Sequence, residues 1–209
     1  MSATRPQLPQ EFIAAHKRRR MIDAMAELCA EQGYEATKIA DVVRRAHVAR
    51  KTLYDNFSGK EELFLAAFDV TVAEVEAQVA EACDPVPADD WEARTEAGLS
   101  ALLEFVAAHP AEAKLCLVEA PAASPESAAR YEAALESFIA QLRAATPGAA
   151  DRPETLAEAL VGGTVWIVQR EVRRDAADKA ADLLPELAQF VISPYRGVGK
   201  KVTGKQVRM

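Results

Sequence analysis

Apolar residues recur at helical spacing along nearly all of this chain, and polar and apolar residues nowhere alternate long enough to argue a strand. Ile22, Met25, Ala26 and Cys29 form such a stripe in a predicted first helix over about residues 10–32. Gly33 ends it, being free to take positive φ. Leu63, Phe64, Ala67, Phe68, Thr71, Val72, Val75 and Val79 mark a longer helix behind Ser58, whose spacing to Glu61 matches a capping box. Half of the 209 residues are hydrophobic and only 6% are aromatic, a mix that suits helix-on-helix packing better than a β-sandwich.

Proline and glycine punctuate the remainder. Asp84-Pro85-Val86-Pro87 is a turn, and Asp89 or Asp90 caps a helix with Trp91, Leu99, Leu102, Leu103 and Val106 inward. Pro110 opens a short helix expected to end before Pro121. Ser124-Pro125 opens another, with Tyr131, Leu135, Phe138 and Leu142 on one face, broken at Pro147-Gly148. Asp151 and Glu154 have capping-box spacing for a helix through about Arg173, and Leu184 to Ile192 belongs to a last one. The count is about nine helices.

Several function classes find no support. No apolar run approaches the ~18 residues of a membrane span, and Met1–Gln10 lack the apolar stretch of a secretory signal. A cytoplasmic chain with no membrane partner is expected. Cys29, Cys83 and Cys116 show no C-x-x-C pairing, so neither a disulfide framework nor a zinc site is expected. His109, Glu112, Cys116 and Glu119 have spacing that could share a helix face. Pro110 puts His109 outside the helix proper, however, and no metal or other cofactor is expected. A phosphate-binding glycine loop, a G-x-S-x-G elbow and an H-E-x-x-H pair are all missing, and three histidines leave a general base hard to place.

Charge is divided unevenly. The net −7 hides +3 over residues 1–58 and −10 over 59–209, a basic head on an acidic body. Within the head, residues 37–57 hold a short helix capped by Thr37, with Ile39, Ala40 and Val43 inward. A tight turn at His47-Val48 follows, then a second short helix from Ala49 to Phe57. That is the helix-turn-helix pattern, whose second helix enters the major groove of DNA. Leu53 and Phe57 form the second helix's inner face; Arg50, Lys51, Thr52, Tyr54, Asp55 and Asn56 are outside. Phosphates want cations and base edges want donors and acceptors, which this outer face supplies. Asp55 is the exception. It is expected to pin Lys51 within the helix, or else to accept from a cytosine N4.

Gly33-Tyr34-Glu35-Ala36-Thr37, Ile39-Ala40-Asp41, Val48, Thr52-Leu53-Tyr54, Phe57 and Lys60-Glu61-Glu62-Leu63-Phe64 resemble the TetR family of bacterial transcriptional regulators, in register over roughly residues 15–68. Two positions depart from the family pattern. His47 stands where glycine is usual, and Ala49 where a Ser or Thr caps the recognition helix, which forfeits about 1 kcal/mol. The resemblance implies an all-α fold: a three-helix N-terminal DNA-binding domain over 1–58, then a six-helix ligand-binding and dimerisation domain over 59–195. A basic flexible tail over 196–209 would end the chain. It implies double-stranded operator DNA as partner, with Thr37, Lys38, Tyr54 and Lys60 on phosphates and Arg50, Lys51, Thr52 and Asn56 at base edges. Some of Arg18, Arg19 and Arg20 would line the DNA flank.

In the body, the resemblance implies a small-molecule effector and a homodimer. Large side chains with polar handles are candidates for the pocket: Trp91, His109, Glu119, Tyr131, Trp166 and Gln169, with Leu102 and Phe138 beside them. Residues 162–168 are apolar nearly all round their helix, as in an intersubunit bundle. Gly162 and Val165, with Leu187, Phe190 and Val191 of the last helix, are the candidate interface. The expected protein is a dimeric repressor released by a small, largely apolar ligand. The alternative is a DNA-binding regulator without a ligand, controlled by abundance or a protein partner.

Overall fold

Helix after helix, with short turns between them, makes up the computed structural model, which describes residues 10–196. The expected basic tail, Arg196 apart, falls outside the described residues. Among the described residues, nine helices carry the architecture. The head holds α1 (Gln10–Gln32), α2 (Ile39–Arg45) and α3 (Arg50–Asn56). The body holds α4 (Lys60–Cys83), α5 (Trp91–Ala108), α6 (110–123), α7 (Pro125–Ala145), α8 (Glu154–Arg173) and α9 (Leu184–Ile192).

The head folds around Met21, Met25 and Cys29 of α1, Val42 of α2, and Leu53 and Phe57 at α3, all fully or nearly fully buried. On α2 the buried residue is Val42, while Ala40, expected inward, is exposed. Ile39 and Val43 pack partly against the core. Seven residues give α2 barely two turns, so one fully buried position is all that its face supplies. The same core takes in Leu63, Phe64 and Phe68 of α4 and Leu115 and Ala120 of α6, so packing runs unbroken from head to body. A second cluster joins Leu103 and Val106 of α5, Ala113 of α6, Val168 and Val172 of α8, and Leu187 and Ile192 of α9.

Local chemistry decides the helix ends. Asp90 caps α5, its carboxylate accepting from the Ala93 N–H at 3.1 Å. Ser124 and Ser127 form a capping box at α7. Three expected caps do not form, and at α2 the N-cap is Lys38 rather than Thr37. Gly59, not Ser58, is the N-cap of α4, and Glu62 rather than Glu61 reaches back to the Ser58 N–H at 2.7 Å. Pro153 stands at the N-cap of α8, because residues 149–151 have already wound into a 3₁₀ turn.

Helix α6 does not stop before Pro121. It runs from Pro110–Lys114 through a π turn, Leu115–Glu119, into Ala120–Ala123. Pro121 has no N–H to offer the Leu117 carbonyl four residues back. Gln169 of α8 supplies the missing donor, its Nε2 bonding to that oxygen. A long-range side chain thus lets the helix pass its proline.

Candidate nucleic-acid interface and internal cavity

His47 makes the turn between α2 and α3 by taking a left-handed conformation, φ 50°, as its place in a glycine position demands. Arg20 of α1 braces that turn: its Nη2 donates to the Ala46 carbonyl and, at 3.1 Å, to the His47 carbonyl. Ala49 precedes α3 with no side-chain cap. The recognition helix therefore depends on Leu53, Phe57 and this arginine for its pose.

The outer face of α3 presents Arg50, Lys51, Tyr54 and Asp55 to solvent, with Tyr54 47% exposed. The Arg50 guanidinium lies 5.6 Å over the Tyr54 ring. Thr52 and Asn56 are half-buried, and Asn56 donates to the Thr52 carbonyl at 2.7 Å. Lys51 and Asp55 form no ion pair among the described residues, so the expected intrahelical pin is not made.

Thr37, 1% exposed, points inward and donates to the Gly33 carbonyl at 2.8 Å. The residue at the start of α2 that faces outward is Lys38, which is also its N-cap. Lys60 donates to the Tyr34 carbonyl at 3.0 Å and lies 4.0 Å over the Tyr34 ring, tying α4 to the loop after α1. None of the three consecutive arginines on α1 stands unpartnered toward a DNA flank. Arg18 stacks 5.1 Å over Phe57, Arg19 pairs with Asp23 and Glu74, and Arg20 holds the turn. Apart from Arg19–Asp23, these contacts join residues far apart in sequence, so local patterning carries no signal for them.

The Tyr34 peptide is held from both sides. Its carbonyl accepts from Lys60, and its N–H donates at 2.7 Å to the carboxylate of Glu119, at the end of the π turn. Cys116 and Leu117, in the same turn, line a cavity of about 710 Å³ in the body. One turn of one helix thus touches both the cavity and the head.

The cavity runs between α4, α5, α7 and α8. Phe68, Val72, Val75 and Val79 form one wall, with Leu99, Leu102 and Phe105 opposite. Of the expected pocket residues, Leu102, Tyr131 and Phe138 line it; Trp91, His109, Glu119, Trp166 and Gln169 do not. Trp91 packs edge-on against Tyr195, His109 lies against Phe105 at the α5–α6 joint, and Gln169 braces α6. Trp166 is 59% exposed. Val165 and Val191, expected at a subunit interface, line the cavity instead, and Leu187 is in the body's core. Gly162 and Phe190 of that expected set do face outward, and the Phe190 ring covers Gly163, where a Cβ would stand 3.1 Å from it. Trp166 and Phe190 (42% exposed) leave an apolar face on α8 and α9.

The cavity's polar groups are muted. Thr71, Thr95 and Thr164 each donate to a carbonyl four residues back in their own helix. Burial pushes the Cys116 thiol and the Tyr131 phenol above their ordinary pKa ranges, keeping both neutral. No described helix is long and apolar enough to cross a membrane.

Residues 21–67 match the family model described as bacterial regulatory proteins, tetR family. No curated protein is matched by sequence. Among solved structures, the fatty acid degradation regulator FadR of Bacillus halodurans has 17% identity and a TM-score of 0.77, over 92% of this chain and 99% of that one. The regulator FadR of Bacillus subtilis, solved in complex with stearoyl-CoA, has 20% identity and a TM-score of 0.71, over 84% and 97%. A transcriptional regulator of Rhodococcus sp. Rha1 has 25% identity and a TM-score of 0.68, over 85% and 95%.

Proposed function

We propose that this chain, whose residues 21–67 match the TetR family model of bacterial regulatory proteins, is a DNA-binding transcriptional regulator and not an enzyme, a homodimeric repressor released from its operator by a small, largely apolar effector. Two α3 helices, one per protomer, enter successive major grooves. Lys38 and Tyr54 meet phosphates, and Arg50, Lys51, Thr52 and Asn56 face base edges. Thr37 contributes by fixing the start of α2 through its hydroxyl bond to the Gly33 carbonyl, and Lys60 by holding the loop at Tyr34.

The dimer forms through α8 and α9, where Trp166 and Phe190 are exposed beside Gly162. Residues of that size on one outer face point to association. The domain division of the reading, a head over 1–58 and a body over 59–195, serves the same mechanism.

One observation carries the effector: an apolar cavity of about 710 Å³, within the usual range of ligand sites, shares a helix turn with the bond that fixes the head. A ligand that favours one setting of that turn shifts the population away from the DNA-competent dimer. The stearoyl-CoA held by the Bacillus subtilis FadR supports a long acyl chain as effector.

The test is a thermal-shift titration with palmitoyl-CoA followed by DNA binding with and without it. Binding only to the folded state raises its stability. A rise in Tm together with weakened operator binding supports the reading; a flat Tm at saturating ligand refutes the effector.

A further inference from the structure

The cavity is long, and its two ends differ. It follows α4 from Phe68 to Cys83, fifteen residues or about 22 Å at 1.5 Å per residue. Arg130–Asp69 and Ser137–Glu76 contacts set α7 parallel to α4, so Tyr131 is at the Phe68 end and Ala145 at the Cys83 end. The inner end, beside the head, is closed by buried Phe68, Phe105, Ala113 and Val168. The outer end is lined by exposed Ala88, Gln141, Ala144 and Ala145, which makes it the mouth.

Charge is distributed as unequally. Arg94 is the single charged residue among those lining the cavity, and no carboxylate joins it. It stands at the mouth, its Nη1 donating at 2.8 Å to the carbonyls of Cys83 and Val86. Among the described residues Nε and Nη2 make no hydrogen bond, so donors remain for a ligand. A guanidinium that lies over apolar walls and is partly withdrawn from water favours an anion there.

We infer that the cavity binds a single-chain amphiphile tail first, with its anionic head at Arg94 and its chain end against Tyr131 and Cys116 beside the head domain. This deepens the effector reading above and rests on it. It makes Arg94 the residue that selects head-group charge. It also makes chain length decisive, because only a long tail reaches the π turn whose Glu119 holds Tyr34. A free carboxylate and the phosphates of a coenzyme A thioester share the required chemistry.

The experiment measures binding of the full chain, by calorimetry below micelle-forming concentrations, to palmitate, palmitoyl-CoA, decanoate and the neutral hexadecanol. Palmitate or palmitoyl-CoA should bind at least tenfold more tightly than hexadecanol, and the tighter of the two identifies the source of the head. Arg94→Gln should erase that preference while retaining hexadecanol binding, which shows the cavity intact. Arg94→Lys should keep most of it. Decanoate should bind without weakening operator binding, whereas the long chains weaken it. Equal affinity for palmitate and hexadecanol, or a preference that survives Arg94→Gln, overturns the assignment of Arg94 and leaves an apolar effector standing. If neither long chain binds, the effector reading fails with it.

Discussion

Replacing Arg20 with methionine should loosen the turn that sets the recognition helix. The guanidinium Nη2 bonds the Ala46 and His47 carbonyls, and His47 is held at φ 50°. Methionine keeps the helix propensity and much of the stem while removing the donor. A hydrogen bond from a charged donor contributes about 1.5–3 kcal/mol. This turn is only partly buried and water can replace part of the interaction, so the pair together should contribute about 2 kcal/mol. At about 2–4 °C per kcal/mol for a chain of this length, Tm should fall by about 4–8 °C. Operator affinity should fall about tenfold, or 1.4 kcal/mol, because the α3 pose is less fixed. Calorimetry and fluorescence anisotropy read the two effects. Glycine at 47 takes the left-handed conformation without a Cβ, so His47→Gly should restore part of the loss in the double variant. An Arg20→Met protein with unchanged Tm and operator affinity would refute the bracing role.

Four further outcomes follow from the same geometry. Trp166→Asp combined with Phe190→Asp should yield monomers in sedimentation runs; a dimer that persists removes this face from the interface. Lys38→Ala should lower the salt slope of operator binding by about one, and an unchanged slope counts against that phosphate contact, whereas Arg50→Ala should cost about 1–3 kcal/mol and relax specificity at one base pair. Glu119→Gln should shrink the ligand's effect on operator affinity at least threefold without abolishing ligand binding, since the carboxylate meets Tyr34 and not the cavity. Burial pushes the Cys29 thiol up to about 12, against about 8.5 for an unfolded thiol. Its contribution to stability is therefore complete below about pH 8.5 and is lost as pH rises toward 12. Urea unfolding at several alkaline pH values should show a steeper decline for the natural chain than for Cys29→Ala.

What could be read from the sequence was local. The period of Ile22, Met25 and Cys29, the glycine at 33, the short turn at His47 and the Ser124-Pro125 opening all announce themselves within a few residues, and the helices follow from them. Long-range pairings were not legible. Arg20 reads as one of three basic residues, yet its function depends on carbonyls more than twenty positions away. Pro121 reads as a stop until Gln169 supplies a donor. Trp166 reads as a pocket aromatic yet faces solvent, and Val165 reads as an interface residue yet lines the cavity. In an all-round apolar helix, the crossing of its neighbours alone decides which side meets a cavity and which meets solvent. Arg94 is equally silent, because a single arginine in a helix carries no sign that an apolar wall surrounds it.

In the proposed mechanism α3 reads DNA, the cavity holds a long amphiphile, and the turn carrying Glu119 connects them. The most direct test begins by selecting the chain's preferred duplex from a random pool. Anisotropy on that duplex is then followed while palmitoyl-CoA is added. The expected result is a two-fold symmetric site bound by a dimer, with a loss of affinity of tenfold or more as ligand saturates. Selection of no preferred sequence, or a duplex affinity unmoved by saturating ligand, would contradict it.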